Sequence, residues 1–366
     1  MKISASRNDG FGLIELMVAM ALGLLLTTGI LTLYLNMSRS SSEMAKTNLQ
    51  IENGRLAIQL LRDDLLHAGF WNGFVPEFDD LTLTAVPGDY PATTPTPCFA
   101  YSSWTGTSRS IRLGTAVQLY NGVPSGCTTA LPSEQANSDV LVVRHAQTCV
   151  AGVGNCEADT AGKLYFQTSL CEGEARYVLA ATGFTLHKRN CTTLAEKRKF
   201  INSIYYLRDY AFAPGDGIPT LMQSSYDLVG GSLNQQPAVA MIEGVEAMRF
   251  ELGVDNISDS GAAVNFAQAV TWASATIKNS PTNRGDGSAD SLCTSATPCS
   301  LSDMVSAVQV KVYLLVRDLE SSPGYSSDKT YSLAGRTYGP FSDAFKRHLY
   351  TTTVRLSNIS GRRETP

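Results

Sequence analysis

The residues Gly10-Phe11-Gly12-Leu13-Ile14-Glu15-Leu16 decide how the rest of this chain is understood. They open a run from Phe11 to Leu35 in which the only charged side chain is that of Glu15. As a helix this run would reach about 37 Å at about 1.5 Å per residue, enough to cross a bilayer core of about 30 Å. A carboxylate inside such a helix costs about 2.5–3.5 kcal/mol even on lenient insertion scales. Glu15 is therefore a functional-site candidate.

The residues before this run predict its orientation. Lys2 and Arg7 keep the N-terminus on the cytoplasmic side, so the bulk of the chain should cross the membrane. An ordinary secretory signal has an apolar core of about 7–15 residues and ends in a small-residue cleavage site. This run is too long and lacks that site. A plain single-span anchor for a periplasmic domain is the simplest alternative.

The segment 36–69 turns polar but keeps a helix-forming composition. It contains no proline, and its leucines recur at helical spacing, which predicts that the membrane helix continues outward as an amphipathic extension. Gly69 is its predicted end. The leucines expected on the buried stripe are Leu49, Leu56, Leu60, Leu61 and Leu65.

From residue 70 to 366 we expect a β-rich head. Phe70, Trp71 and Phe74 should pack where the helix meets it, and Asn72-Gly73 should form a turn. Apolar runs and period-2 alternation predict strands. The predicted strands are Ser110–Tyr120, Val140–Arg144, Lys163–Gln167, Arg176–Ala180, Phe184–Lys188, Ile204–Arg208, Val239–Leu252 (a pair or one bent strand), Val308–Arg317 and Tyr350–Leu356.

These elements predict an α+β fold: a long N-terminal helix followed by a large antiparallel head. In Val308–Arg317 the alternation predicts one apolar face and one mostly polar face. The Ser-, Asp- and Gly-rich segment Asn279–Ser300 should be a surface loop.

Size, charge and cysteines limit the class of protein. The chain has 366 residues and a formal charge of −4. This mildly acidic balance does not indicate a nucleic-acid-binding protein, which usually carries an excess of basic residues. An even count of exported cysteines favours disulfides over free thiols in a cytosolic head. Spacing does not fix their connectivity, although we expect sequential pairing, with Cys149–Cys156 and Cys293–Cys299 as small loops. The eight cysteines are Cys98, Cys127, Cys149, Cys156, Cys171, Cys191, Cys293 and Cys299.

The sequence offers little catalytic chemistry. Its four histidines are scattered, and we find no zinc-protease motif, nucleophile elbow or phosphate-binding loop, so we expect neither an enzyme nor a cofactor. Asn283, Asp286 and Asp290 form either a solvated turn or an oxygen site for a hard cation such as calcium. The basic residues near the C-terminus predict either a solvated face or a docking surface for an acidic partner. They are Lys346, Arg347, Arg362 and Arg363.

The N-terminal residues resemble the class III prepilin signal, which has a short basic leader, then Gly, a methylatable Phe and an apolar helix with Glu as its fifth residue. The commoner form is G-F-T-L-I-E-L, and Gly12 replaces its Thr without touching the cleaved bond or the acid. The resemblance implies that a prepilin peptidase cleaves between Gly10 and Phe11 and methylates the new amine. We interpret Glu15 as the carboxylate that neutralises the Phe11 amine of a neighbouring subunit, because each charge then offsets the desolvation of the other.

Later blocks resemble the PilW family of type IV pilus minor pilins. They are Asn53–Leu65, Ala68–Trp71, Gly244–Glu251, Val310–Arg317 and Phe345–Leu356. The resemblance implies a tip complex with other minor pilins, the major pilin and a PilY-type adhesin, which primes pilus assembly and supports twitching motility, attachment or DNA uptake. A minor pseudopilin of a type II secretion system and a membrane-anchored periplasmic enzyme are the alternatives.

The expected organisation has four parts. Residues 1–10 are a cleaved leader, 11–35 the transmembrane and assembly helix, 36–69 its amphipathic extension, and 70–366 the head. The protein would first sit in the inner membrane with a periplasmic head, and then at the pilus tip. No direct nucleic-acid partner is expected.

Overall fold

The computed structural model describes residues 10, 12–274 and 276–364. The helices are α1 (Leu13–His67), α2 (Gly106–Gly114), α3 (Leu301–Val305) and α4 (Ser357–Arg363), with short 3₁₀ turns at Glu77–Asp79 and Tyr101–Ser103. The strands are β1 (Val117–Asn121), β2 (Asp139–Ala146), β3 (Tyr165–Thr168), β4 (Tyr177–Ala180), β5 (Lys197–Arg208), β6 (Thr220–Val229), β7 (Ser232–Gln235), β8 (Val239–Glu243), β9 (Val245–Val254), β10 (Ser291–Thr294), β11 (Ala307–Arg317), β12 (Tyr331–Leu333), β13 (Arg336–Tyr338) and β14 (Arg347–Arg355).

Helix α1 is a single element of 55 residues. Its sequence has no proline, and it ends just before Gly69, whose φ of +74° is one that glycine adopts without a steric penalty. The chain divides into two compact units, Met1–Leu49 and Gln50–Pro366, so the second unit includes the last part of α1.

The strands of the second unit form two larger sheets and one small hairpin. The larger sheet has eight strands in the path β1-β2-β5-β3-β4, with β6 joining β5 to β7 and β8. The other large sheet has four strands in the order β10-β9-β11-β14, and β12 pairs with β13. Every pairing is antiparallel. One long helix with antiparallel sheets is the α+β class, so the predicted fold class is confirmed.

Gly244 carries the chain from one sheet to the other. It separates β8 from β9, which resolves the segment Val239–Leu252 into the strand pair rather than one bent strand. Its φ is +81°, and a Cβ there would lie 2.8 Å from the carbonyl oxygen of Arg317. Only glycine satisfies both the backbone angle and this close approach.

The buried face of α1 differs in phase from the predicted leucine stripe. Leu61 and Leu65 are fully buried, but Leu49 and Leu56 are 42% and 51% exposed, so this part of the prediction is wrong. Small and polar residues replace them on the buried face. The buried residues of α1 are Gln50, Gly54, Ala57, Leu61 and Leu65.

Three strand or loop predictions need correction. The first half of Ser110–Tyr120 lies in α2, where Thr105 and Ser108 form a capping box that starts a helix. Phe184–Lys188 forms only one isolated bridge, between His187 and Leu194. Asn279–Ser300 is not simply a surface loop, because it contains β10 and buries Arg284.

The C-terminal part of the second face of β11 is also buried, whereas the Lys311 side chain nearer its start is 43% exposed. Tyr313, Leu315 and Arg317 are at most 9% exposed, against the predicted polar face. A separate apolar cluster covers them, built from Leu333 and Ala334 together with neighbouring aromatic side chains. Alternation identified the strand correctly but did not reveal the second layer above it.

Candidate assembly site

Glu15 lies in the first turn of α1. Its Oε2 accepts a hydrogen bond from the backbone N–H of Gly12 at 3.0 Å, which satisfies one of the unpaired amides at the start of the helix. The partial positive charge of the helix N-terminus also favours a carboxylate at this position. Gly10 is exposed and precedes the helix, whereas Phe11 lies outside the described residues. Glu15 thus lies within the turn that begins just after the expected cleavage point.

The first part of α1 presents an apolar surface. It is long and apolar enough to cross a membrane by length and composition, with a mean hydropathy of 2.2 over its best window. Its threonine hydroxyls are hydrogen-bonded within the helix: those of Thr27 and Thr28 each donate to the carbonyl oxygen of Leu24, and that of Thr32 donates to the carbonyl oxygen of Thr28. A hydrogen bond to a carbonyl of the preceding turn satisfies a hydroxyl group in a membrane, where no water is available to bind it.

Two amide side chains in the last part of α1 donate hydrogen bonds to backbone carbonyls of both large sheets or of residues next to their strands. The Gln50 Nε2 donates to the carbonyl oxygens of Val316 and Lys346, at 3.0 Å and 2.8 Å. Asn53 Nδ2 donates to the carbonyl oxygen of Glu243 at 3.2 Å. These carbonyls lie at or next to strand ends, so the two amides link α1 to the backbone of the sheets.

Gly54 permits a close approach between α1 and β14. A Cβ on Gly54 would lie 2.2 Å from the ring of Tyr350 on β14. The side chains of Ala57 and Leu61 continue this contact into the apolar core shared with both sheets.

A polar cluster joins α1 to the larger sheet at Asp64. Its carboxylate lies 2.8 Å from His145 Nε2 and accepts a hydrogen bond from Tyr205 Oη at 2.9 Å. The His145 Nδ1 lies 2.9 Å from the carbonyl oxygen of Ala146. Burial, and then the neighbouring Asp64, raise the pKa of Tyr205. His145 is only 7% exposed, so this set of acid, imidazole and phenol is a packed link and not an open catalytic arrangement.

Of the four basic residues near the C-terminus, Arg347 and Arg363 have buried side chains paired with acids, whereas Lys346 and Arg362 are half-buried. The Arg347 side chain is 1% exposed and binds Glu246 and Asp343, with Nη2 to Glu246 Oε1 at 2.9 Å. Burial opposes the charge of Arg347, but its hydrogen bonds to Asp343 and Glu246 raise its pKa. Both interpretations of this region were wrong for Arg347, because short-range carboxylates hold it inside the head.

Arg363 on α4 repeats this pattern. Its Nε donates to Asp79 at 3.0 Å and its Nη1 to Asp255 at 3.3 Å, and all three side chains are almost fully buried. Arg362 lies beside the same acid, 3.9 Å from Asp79. This arrangement ties the end of the chain to a loop that follows α1 in sequence, and spacing gave no signal for it because the partners lie far apart along the chain.

The candidate cation loop uses its oxygens internally. Asn283 Oδ1 accepts from the N–H of Thr271 at 3.0 Å, Asp286 accepts from Ser288, and Asp290 accepts from Asn256 and Ile257. Within the described ranges, no three acidic, histidine or cysteine side chains gather in a metal-binding group.

All eight cysteines form disulfides between neighbours in chain order, which is the pairing expected from the sequence. The bonds join Cys98 to Cys127, Cys149 to Cys156, Cys171 to Cys191 and Cys293 to Cys299. The bonds span 29, 7, 20 and 6 residues of the head, and the longest encloses α2 and β1.

Comparison with known proteins gives two family matches. Residues 204–358 match the model of the type IV pilus-assembly protein W family (PilW), and residues 5–31 match the prokaryotic N-terminal methylation motif. The first match covers β6 to β14, including the sheet that contacts α1, and the second covers Gly10, Phe11 and Glu15.

No match was found among curated proteins. Among solved structures, the chain is similar to a type IV-like pilin from Thermus thermophilus, with 13% identity and a TM-score of 0.31, covering 85% of this chain and 97% of that one.

Proposed function

We propose, from the premise that this chain is a PilW-family type IV pilin-like protein, that it acts in a tip complex that primes pilus assembly. The observation that carries the proposal is one apolar helix with an acid at its start, followed by a unit that runs from Gln50 to Pro366. A head of that size is too bulky to repeat in a tightly packed helical lattice. It fits at the end of a filament, where no subunit lies above it.

The prepilin motif implies processing by a peptidase and assembly with other pilins. In our proposal, prepilin peptidase cuts between Gly10 and Phe11 and methylates the new amine. The amine is then a buried cation in the stacked helices, and Glu15 of a neighbouring subunit neutralises it. Since each charge offsets the desolvation cost of the other, the pair also fixes the axial register of the incoming subunit.

The order of events follows from this processing. Residues 1–10 are removed, 11–35 hold the protein in the inner membrane, and 36–69 lead to the periplasmic head. Other minor pilins, the major pilin and a PilY-type adhesin are the proposed partners at the tip. The proposed role is structural, involves no catalytic step, and supports twitching motility, attachment or DNA uptake.

A deletion strain separates this proposal from a role in type II secretion. Loss of surface pili with normal enzyme export supports it, and normal pili with failed export would contradict it. Gold-labelled antibody against the head then tests the position: labels at filament ends are expected, and regular labels along the shaft would refute tip placement.

A further inference from the structure

A small pocket opens beside α2. It encloses about 200 Å³ and is lined by three exposed hydroxyl residues, two aromatic residues and one arginine among others. These are Thr93, Thr94, Ser103, Phe99, Trp104 and Arg112. The volume is below the roughly 300–1,000 Å³ of drug-sized sites, so the pocket suits a ligand about as large as one sugar ring.

Arg112 supplies a buried charge that has no acidic partner in the described part of the chain. It is 3% exposed, its Nη1 and Nη2 donate to the carbonyl oxygens of Ser108 and Thr96 at 2.8 Å and 2.9 Å, and its guanidinium stacks 4.0 Å from the Trp104 ring centroid. Burial lowers the pKa of Arg112 to about 10, which still leaves the group charged at neutral pH.

A second buried cation adds to the positive potential. Arg144 is fully buried and donates to the carbonyl oxygen of Thr115 and to Gln118 Oε1, again with no carboxylate among the described residues. Burial, and then the charge of Arg112, lower the pKa of Arg144 to about 9. Two guanidinium groups without a counter-charge make an anion the favoured occupant, because burying an unpaired charge is costly.

The rest of the lining offers neutral polar and aromatic contacts. The hydroxyls of Thr93, Thr94 and Ser103 are on exposed residues and make no hydrogen bond within the described ranges. Phe99 is 50% exposed, so its ring is available to an incoming ligand. Free hydroxyls and an exposed ring suit a polyhydroxylated molecule whose C–H face can lie on an aromatic surface.

The rim of the pocket is fixed in place. Pro95 O accepts from Gln118 Nε2 at 3.1 Å, and Phe99 O accepts from Trp104 Nε1 at 3.1 Å and from Tyr226 Oη at 3.2 Å. The Cys98–Cys127 disulfide holds the same segment. A rim held at these points loses little conformational entropy on binding.

We propose that this pocket binds the carboxylate of an acidic sugar, as found in a uronic acid unit of a polysaccharide. The guanidinium of Arg112 binds the carboxylate. The three hydroxyls form hydrogen bonds with the sugar hydroxyls, and the Phe99 ring packs against the apolar face of the sugar. The site is independent of pilus assembly, so its failure would leave the proposed function untouched.

The test is calorimetric titration of the full chain in an uncharged detergent with glucuronate, glucose and inorganic phosphate. Glucuronate should bind at least tenfold more tightly than either of the others. Equal binding of glucose would show that the carboxylate does not matter, and tighter binding of phosphate would point to a phosphate ligand; either result overturns the proposal.

Variants assign the binding to this pocket. Arg112→Met should weaken glucuronate binding at least tenfold, whereas Arg109→Met should leave it unchanged, because Arg109 lies on the same helix over the Tyr101 ring and outside the lining. Since Arg112 also holds two carbonyl oxygens, Phe99→Ala gives a second reading at an exposed residue. Full binding by a folded Phe99→Ala protein, or equal loss in the Arg109 variant, would refute the site.

Discussion

Glu15 is the residue on which the assembly proposal depends. Glu15→Ala should leave processing and membrane insertion intact but reduce the protein recovered in sheared pili about tenfold or more, because a buried amine without its carboxylate costs several kcal/mol. Immunoblotting of membrane and pilus fractions measures both quantities. Glu52→Ala, on an exposed position of the same helix, is the matched control and should incorporate normally. Normal incorporation of Glu15→Ala would contradict the charge-pairing account.

A substitution at Gly54 that adds a single carbon atom tests how α1 packs on the sheet. Alanine ordinarily stabilises a helix relative to glycine by about 1 kcal/mol. At Gly54 the new Cβ would meet the Tyr350 ring at 2.2 Å, so Gly54→Ala should instead destabilise the chain by about 1–3 kcal/mol.

Thermal melts of the full chain in detergent measure this effect. Gly29→Ala is the control, because nothing lies within 4 Å of a Cβ at that position. Combining Gly54→Ala with Tyr350→Ala should recover part of the loss. A stabilised Gly54→Ala protein would show that the helix and ring do not pack as described.

At the scale of an element, α4 is held by a buried ion pair. Arg363→Met should destabilise the head by about 3–5 kcal/mol, because Asp255 would then be buried without its cation and Asp79 would keep only the more distant Arg362. Arg355→Met is the control: this side chain is 55% exposed, and exposed pairs contribute about 1 kcal/mol or less. Denaturant unfolding followed by tryptophan fluorescence compares the two, and equal small losses would refute the structural role of Arg363.

The connection between β5 and β6 depends on one carboxylate. Asp216 accepts hydrogen bonds from the N–H groups of Ile218, Phe212, Ala213 and Ala211, which together lower its pKa to about 2. A lowered folded-state pKa means that this contribution is complete above the ordinary value near 4 and is lost as the pH falls toward 2.

Asp216→Ala should reproduce the acid effect at neutral pH. Peptide-level hydrogen exchange should rise in the segment that contains the four amides and stay unchanged in β2. Asp209→Ala, which removes a neighbouring acid, is the control. Unchanged protection in the Asp216 variant would mean that the turn is held by other contacts.

The spacing of apolar residues predicted helices and strands correctly where a segment followed a single helical or strand period. The long helix and the strand at Val308–Arg317 both follow from periodicity, and both are present. Ser110–Gly114 was mistaken for a strand because its apolar residues are few, whereas the capping box just before it carried the helix signal. The predicted buried face of α1 was wrong because it was based on leucine positions alone. The observed face packs closely through the small residues Gly54 and Ala57.

At the scale of the whole molecule, the processing motif could be read from a few consecutive residues, but the contacts that hold the head together could not. The basic C-terminal region shows why. Arg347 and Arg363 look like a charged surface in sequence, yet carboxylates neutralise them inside the head, and of these only Asp343 lies near its partner Arg347 in the chain. Arg112 and Arg144 appear equally ordinary in sequence, and only the fold reveals that two buried cations share one region with no acidic partner in the part of the chain that the structure describes.

In the proposed function, the chain is cleaved after Gly10 and enters the filament. Mass spectrometry of the N-terminal peptide, taken from the protein in sheared and purified pili, tests this most directly. We predict a peptide that begins at N-methylated Phe11 and contains Glu15. A protein that still begins at Met1, found in the membrane and absent from the pili, would contradict the account.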